Sequence, residues 1–290
     1  MLLFFKKDIL LFHNYYNLNL YKKKRIFLIM AFIQCDFFSN TLGMHMMMNV
    51  ILPQANTTHI GTKADIRKNE GCRVMYLLHG MSDDHTIWSR LTSVERYVLG
   101  KNLAVIMPCA HRSYYTNMHS GKRYWDYIAI ELPAVVKELF RVSDRREDTF
   151  ACGLSMGGYG ALKLGLAMPE NFNAVCGISS VADINNFQDW REDSEWAKEE
   201  FAIFGPKDRE LRKPNDLFFL AEQYKKKNLT TPTRFMQICG AEDFLYQDNL
   251  RLRDHFKNIN LPCKYIEEPG SHTWEFWDRH VRNAIDFFLM

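Results

Sequence analysis

Short apolar runs, each flanked by turn-forming residues, recur along the 290-residue chain and predict the strands of a mostly parallel sheet. Within these runs apolar and polar residues do not alternate, which is typical of strands that are covered by helices on both faces. The predicted strands are residues 73–78, 103–108, 149–154, 174–179, 234–239 and 263–267. Helical patterns separate and follow them, at 125–142, 156–167, 244–258 and 273–288. Regular alternation of strand and helix predicts a doubly wound α/β sheet.

Two earlier runs, 35–39 and 46–52, are joined by a turn around Gly43. They predict antiparallel strands at the N-terminal edge of the sheet. The methionines of the second run are expected to pack in the core, because the flexible thioether side chain fills irregular gaps between neighbours.

The segment 182–230 interrupts the alternation of strand and helix. It lies between two predicted strands, is too long for a simple crossover, and mixes aromatic with charged residues. Its larger aromatic residues are Trp190, Trp196, Phe201, Phe204, Phe218 and Phe219. We predict a partly helical, lid-like insertion over the active site, with an ordinary surface excursion as the alternative.

Composition and charge are those of a globular protein, with 47% hydrophobic residues, 24% charged residues and a net charge of +3. This charge is too small to favour a nucleic-acid partner. Residues 1–29 carry much of the basic excess, lack a small-residue cleavage site and contain no run of transmembrane length. We expect a disordered or non-native extension at 1–29, one domain at 30–290, and no stable membrane association. A membrane-attached N-terminus is the alternative.

Seven cysteines are scattered through the chain, mostly within apolar runs, and no Cys-x-x-Cys pair occurs. This distribution is typical of reduced, buried thiols and predicts a cytoplasmic protein. No residue pattern indicates a metal site or an organic cofactor, so we expect neither.

The most informative motif is Gly-Leu-Ser-Met-Gly at 153–157, which follows a predicted strand and begins a predicted helix. In an α/β-hydrolase such a turn is strained and exposes the serine oxygen, and the flanking Gly153 and Gly157 avoid collisions across the bend. The N-terminus of the helix also places positive partial charge beside the serine. These features predict Ser155 as a nucleophile.

A serine nucleophile needs a histidine base and a carboxylate, which in this fold follow the serine in the order Asp, His. His272 lies in a loop between the last predicted strand and the last helix, whereas His255 and His280 fall inside helical patterns. Asp243 follows the predicted strand 234–239, where functional side chains of parallel sheets converge. We predict Asp243 and His272 as the partners of the serine. Among the remaining carboxylates, Glu242 is the nearest rival to Asp243.

The tetrahedral oxyanion requires two hydrogen-bond donors, and backbone N–H groups are the usual ones. Met156 directly follows the serine, and Met81 follows Gly80 at the end of the first central strand. These two N–H groups are the predicted donors, and the glycine allows the necessary turn. His79 precedes Ser155 and ends a buried strand, so we expect it to support this turn and not to act as the base.

Several segments together resemble the esterase D group of α/β-hydrolases, which includes tributyrin, feruloyl and acetyl-xylan esterases, S-formylglutathione hydrolases and mycolyltransferases. The resemblance extends from about residue 31 to the end. It rests on the segments 76–81, 106–108, 131–133, 153–162, 240–245 and 270–274. It implies Ser155, Asp243 and His272 as the catalytic triad, with the oxyanion donors given above.

By this resemblance we expect a serine carboxylesterase acting on short-chain acyl or hydroxycinnamoyl esters, with an S-formylglutathione hydrolase as the alternative. A non-catalytic protein on the same scaffold is disfavoured because all three triad residues are present. The substrate is expected to be a small ester, which a carbohydrate-linked ester would satisfy. The predicted pocket residues are Tyr114, Tyr124, Trp125, Trp190 and Trp196, each with core packing as the alternative. A homo-oligomer is compatible with the sequence, which leaves the oligomeric state open.

Overall fold

The computed structural model describes residues 27–56, 71–186 and 194–290. In these ranges the strands form a single eight-stranded sheet. In chain order they are β1 (Phe27–Ser39), β2 (Met44–Asn56), β3 (Arg73–Leu78), β4 (Leu103–Pro108), β5 (Thr149–Leu154), β6 (Ala174–Ile178), β7 (Arg234–Gly240) and β8 (Cys263–Glu268).

The strand order across the sheet is β1-β2-β4-β3-β5-β6-β7-β8. β1 pairs antiparallel with β2 and β2 with β4, whereas all other neighbours are parallel. The predicted sheet, with antiparallel N-terminal edge strands, is therefore confirmed. Both edge strands are longer than predicted, because Phe27 already pairs with Asn56. The sheet thus includes residues 27–29, which the sequence analysis assigned to the extension.

Helices connect the strands and cover both faces of the sheet. They are α1 (Ile87–Leu91), α2 (Val94–Val98), α3 (Tyr124–Asp126), α4 (Leu132–Leu139), α5 (Met156–Ala167), α6 (Ser194–Phe204), α7 (Arg209–Arg212), α8 (Leu217–Lys226), α9 (Tyr246–Asn258) and α10 (Trp274–Phe288). One core contains buried side chains of α1, α2 and α10, and the other contains those of α4, α5, α8 and α9. Because both faces are covered, β4, β5 and β6 are almost entirely buried.

The helix predicted over 125–142 is interrupted. Residues Tyr127–Glu131 form a π-helical turn between α3 and α4. Pro133, the second residue after this turn, has no N–H to continue the regular ladder of hydrogen bonds. The carboxylate of Glu131 accepts a hydrogen bond from the N–H of Asn40 at 2.7 Å. This contact ties the helix to the turn between β1 and β2.

The described part of the insertion is helical, as predicted, and consists of α6, α7 and α8. Arg212 is fully buried within it and binds the buried carboxylate of Glu200 at 2.8 Å. The same guanidinium donates to the carbonyl groups of Ile184 and Gly205. These bonds hold the described parts of the insertion together, and α8 connects it to the rest of the fold by packing against α5.

Candidate active site

Ser155 lies between the end of β5 and the first residue of α5, in a strained conformation with φ 53° and ψ −118°. Its backbone N–H donates to the carbonyl of Ile178 at 2.9 Å, and its carbonyl accepts from the N–H of Val181 at 3.1 Å. Such strain persists only where the surrounding structure enforces it. Here these bonds to the neighbouring β6 region hold the serine at the carboxyl end of the sheet.

The two glycines that flank the serine permit the close approach of three backbone segments. A Cβ atom at Gly153 would lie 2.3 Å from the carbonyl oxygen of Gly157, and one at Gly157 would lie 2.3 Å from that of Leu78. Real Cβ contacts are essentially never this short. The turn therefore needs glycine at both positions, as the motif predicts.

Asp243 and His272 come together from the loops that follow β7 and β8. The Nδ1 atom of His272 lies 2.9 Å from Oδ2 and 3.1 Å from Oδ1 of Asp243. The carboxylate is fully buried and also accepts a hydrogen bond from the N–H of Leu245 at 2.8 Å. Because an ionised carboxylate only accepts hydrogen bonds, Nδ1 must carry the proton and Nε2 is left free to act as a base.

The rival residues of the sequence analysis have other partners. The carboxylate of Glu242 accepts a hydrogen bond from the N–H of Gly270. His255 faces the carbonyl of Phe218, and His280 packs in the core against Phe276. Neither histidine lines the cavity that contains Ser155. Geometry therefore favours the Asp243–His272 pair.

The turn that should supply an oxyanion donor is fixed by three side chains. The indole of Trp88 donates to the carbonyl of Leu78 at 3.0 Å, and the hydroxyl of Tyr115 donates to that of His79 at 2.9 Å. The Nδ1 atom of His79 lies 2.6 Å from the carbonyl oxygen of Gly80. With these carbonyl groups held, the orientation of the following peptide at Met81 is restricted.

His79 is buried and accepts a hydrogen bond at Nε2 from the N–H of Ala110, at 2.9 Å. This bond requires the proton to be on Nδ1, from which it is donated to Gly80. Burial lowers the pKa of His79 to about 4. The neutral ring is thus a structural support of the turn, and both of its nitrogens are occupied.

Met156 is the first residue of α5, so its N–H has no partner inside the helix. Met81 lines the same cavity as Ser155. The predicted donors therefore lie on the two backbone segments that meet at the serine.

A cavity of about 330 Å³ opens beside the serine and the histidine. Its lining residues are Gly80, Met81, Ser82, Asp83, Tyr114, Leu154, Ser155, Phe244, His272, Trp274 and Trp277. The ring of Phe244 lies 4.5 Å from that of His272 between centroids, and Trp277 meets the imidazole edge-on at 4.8 Å. These aromatic contacts fix the plane of the imidazole.

Of the predicted pocket residues, Tyr114 lines this cavity. Tyr124 is buried against Tyr127, and Trp125 packs over the ammonium group of Lys163. Trp196 is buried and its ring lies 6.1 Å from that of Tyr114, behind the cavity wall. Trp190 lies outside the described residues.

The described parts of the insertion, 182–186 and 194–230, lie beside the site. No residue from its described parts lines the cavity. The reason is that α6 packs behind Tyr114 and α8 along α5.

Sequence reasoning missed Asp83, Phe244 and Trp274 as cavity residues. Each lies within three residues of a predicted functional position, namely Gly80, Asp243 and His272. Their position next to these residues could have predicted them as cavity residues, because residues that adjoin a catalytic loop lie at the same edge of the sheet.

The described residues contain no group of three or more histidine, cysteine or acidic side chains arranged to hold a metal ion. No helix in the described ranges is both long and apolar enough to cross a membrane.

The sheet and its nucleophile turn place the protein in the class of α/β-hydrolases. Residues 39–285 match the family model described as "Putative esterase", so the chain belongs to this esterase family. An acetyl esterase of Caldicellulosiruptor saccharolyticus is 29% identical over 263 residues, covering 89% of this chain and 98% of that protein.

Two solved structures from Staphylococcus aureus are also similar. The fluorophosphonate-binding serine hydrolase FphF has a TM-score of 0.79 and 33% identity, covering 90% of this chain and 99% of its own. The S-formylglutathione hydrolase FrmB has a TM-score of 0.76 and 34% identity, with the same coverage. With the family, these similarities identify the protein as a serine-dependent carboxylic ester hydrolase.

Proposed function

We propose that Ser155, His272 and Asp243 hydrolyse esters through an acyl-enzyme intermediate. The observation that carries the proposal is the hydrogen bond of 2.9 Å between Asp243 and His272, in a cavity shared with Ser155. This bond orients the imidazole and stabilises the imidazolium that forms when the serine loses its proton.

In the proposed reaction the oxygen of Ser155 attacks the ester carbonyl carbon while Nε2 of His272 takes the hydroxyl proton. The N–H groups of Met81 and Met156 bind the oxyanion. When the carbon–oxygen bond to the alcohol breaks, the imidazolium returns the proton to the leaving oxygen. Water then attacks the acyl-enzyme, again with His272 as base, and releases the acid.

We further propose short-chain acyl or hydroxycinnamoyl groups as the acyl portion, and a carbohydrate-linked alcohol. Support for a short acyl group comes from the acetyl esterase relative and from the cavity of about 330 Å³. Support for an aromatic acyl group comes from the exposed ring of Phe244 and the partly exposed Trp274 at the cavity.

The second candidate is hydrolysis of S-formylglutathione, which the similarity to FrmB supports. A substrate panel of 4-nitrophenyl acetate, butyrate and octanoate, methyl ferulate and S-formylglutathione separates the two. A higher kcat/KM for an oxoester supports the esterase, whereas dominant turnover of the thioester supports the alternative.

The catalytic proposal is tested with Ser155→Ala, which should abolish hydrolysis of 4-nitrophenyl acetate while the circular dichroism melt stays unchanged. Ser120→Ala is the matched control, because Ser120 is exposed and does not line the cavity. Hydrolysis by purified Ser155→Ala at the wild-type rate would refute the proposal.

We also propose the cytoplasm as the place of action. All seven cysteines are free thiols, which supports a reducing compartment.

A further inference from the structure

Asp83 contributes a carboxylate to the wall of the cavity that contains Ser155 and His272. A Cβ atom at Gly80 would lie 2.7 Å from its Oδ2 atom, so the carboxylate lies directly against the oxyanion turn. The N–H of Asp83 donates to the carbonyl of Gly80 at 3.3 Å. This short turn fixes the residue at the cavity wall.

Asp83 has a carboxyl group whose pKa is shifted by its surroundings. Burial raises the pKa of its carboxyl, while the N–H of Gly80 and the nearby His272 act in the opposite direction. In the part of the chain that the structure describes, no lysine or arginine pairs with it. An anion beside an oxyanion site opposes the negative charge of the transition state. We therefore expect Asp83 to make a contact with the substrate that offsets this unfavourable interaction with the transition state.

Aromatic surface lies across the same cavity. Phe244 is 55% exposed although its ring contacts His272. Trp274 is partly exposed and meets Trp277 edge-on at 5.0 Å. Within this largely aromatic pocket the carboxylate of Asp83 can accept a hydrogen bond from an O–H group of a polyhydroxy alcohol, and few polar groups in an apolar pocket suffice to set specificity.

The position of His272 decides which part of an ester meets Asp83. His272 returns its proton to the leaving oxygen, so the alcohol portion lies on the histidine side of the reacting carbon. Asp83 and His272 line the same cavity, and the charge of His272 lowers the pKa of the Asp83 carboxyl. We propose that Asp83 accepts a hydrogen bond from a hydroxyl of the alcohol portion and thereby selects esters of polyhydroxy alcohols. This inference rests on the proposed ester hydrolysis at Ser155.

A cationic alcohol would also be attracted by a carboxylate and aromatic rings. However, His272 becomes an imidazolium during the reaction and would repel a cation bound beside it. A neutral hydroxyl meets no such repulsion, so the polyhydroxy alcohol is the favoured partner.

The test compares kcat/KM for glycerol 1-acetate and propyl acetate, which share an acyl group and a three-carbon alcohol but differ in two hydroxyls. Wild type should prefer the glycerol ester, and Asp83→Ala should reduce that preference by about ten- to a hundredfold, the range of a hydrogen bond to a charged group. Asp83→Asn keeps an acceptor oxygen and should lose less. Asp84→Asn is the matched control, because Asp84 is exposed and its carboxylate accepts hydrogen bonds from Thr86. This variant should prefer the glycerol ester as strongly as wild type does.

An equal loss for both acetates in Asp83→Ala would overturn the inference, since it would mean that Asp83 only holds the turn. A wild type without preference for the glycerol ester would overturn it too. So would a loss confined to acetylcholine relative to its neutral analogue 3,3-dimethylbutyl acetate. Each of these results leaves ester hydrolysis intact, whereas a wild type inactive on every ester, including 4-nitrophenyl acetate, refutes the proposed function itself.

Discussion

His79 donates a hydrogen bond of 2.6 Å to the carbonyl of Gly80, the residue that precedes the proposed oxyanion donor Met81. The opposite nitrogen of the same ring accepts from the N–H of Ala110 at the end of the neighbouring strand region. A buried neutral histidine thus links two loops at the carboxyl end of the sheet. Its protonation state should affect both folding and the shape of the site.

Acid should destabilise the protein through His79. Its pKa is about 4 in the folded protein, whereas the unfolded chain has the ordinary value of about 6.5. Between these pH values the unfolded chain binds more protons, so the free energy of unfolding falls as the pH falls, by up to about 3 kcal/mol. His79→Asn removes the titrating group and should flatten this part of the profile. Urea unfolding at several pH values measures both slopes, and equal slopes in the two proteins would contradict the assignment.

Gly157→Ala should be strongly destabilising. The new Cβ atom would lie 2.3 Å from the carbonyl oxygen of Leu78 and 2.7 Å from that of His79, both of them backbone atoms. Overpacking of this kind costs about 1–3 kcal/mol, and displacement of the serine turn should also lower kcat. Thermal unfolding and hydrolysis of 4-nitrophenyl acetate measure the two effects.

The control for this substitution is Gly43→Ala. Gly43 has a positive φ of 64°, and no atom lies within 4 Å of the added Cβ. It should lose about 1 kcal/mol from backbone strain and keep its activity. If Gly157→Ala matched this variant in both stability and activity, the clash would not be the reason for the glycine.

Arg212→Met should lower the free energy of unfolding by about 3–5 kcal/mol, because it leaves the buried carboxylate of Glu200 without its main partner. The neighbouring Lys213→Met removes an ion pair with Glu210 on the surface and should change stability little. Chemical unfolding of the two variants measures the difference. Similar losses of stability in the two variants would show that burial does not make the Arg212–Glu200 pair more important for stability than the surface pair.

Asp243→Asn should reduce kcat by about 10³–10⁴-fold with little change in KM, since an amide can donate to Nδ1 and stabilise the wrong tautomer of His272. Glu242→Gln is the matched control, because the carboxylate of Glu242 bonds to the backbone of Gly270 and not to the imidazole. A larger loss in Glu242→Gln than in Asp243→Asn would reverse the assignment of the acid.

Sequence alone predicted which segments form the parallel strands. It also predicted that Asp243 and His272 lie together. Both follow from local rules. A continuous apolar run such as Thr149–Leu154 identifies a strand because a strand that helices cover on both faces needs apolar residues at every position. The carboxyl ends of parallel strands must share one edge, so residues just after strands converge. The short helices α1 and α2 were missed because five residues carry too little periodicity.

The lining of the cavity was harder to predict. Trp125 and Trp196 were named for their aromatic character, but tertiary packing places Trp125 over Lys163 and Trp196 behind Tyr114. Whether an aromatic ring faces a cavity or the core depends on contacts between distant segments, which periodicity does not encode. The same limit hid Phe244, which is exposed and lines the cavity.

The most direct test of the central claim is to trap the acyl-enzyme. Wild type mixed rapidly with 4-nitrophenyl acetate and quenched in acid should carry one acetyl group, and peptide mass spectrometry should locate it on Ser155. Ser155→Ala should carry none under the same conditions. An acetyl group on another residue of the wild type, in a protein that hydrolyses the ester, would contradict the account.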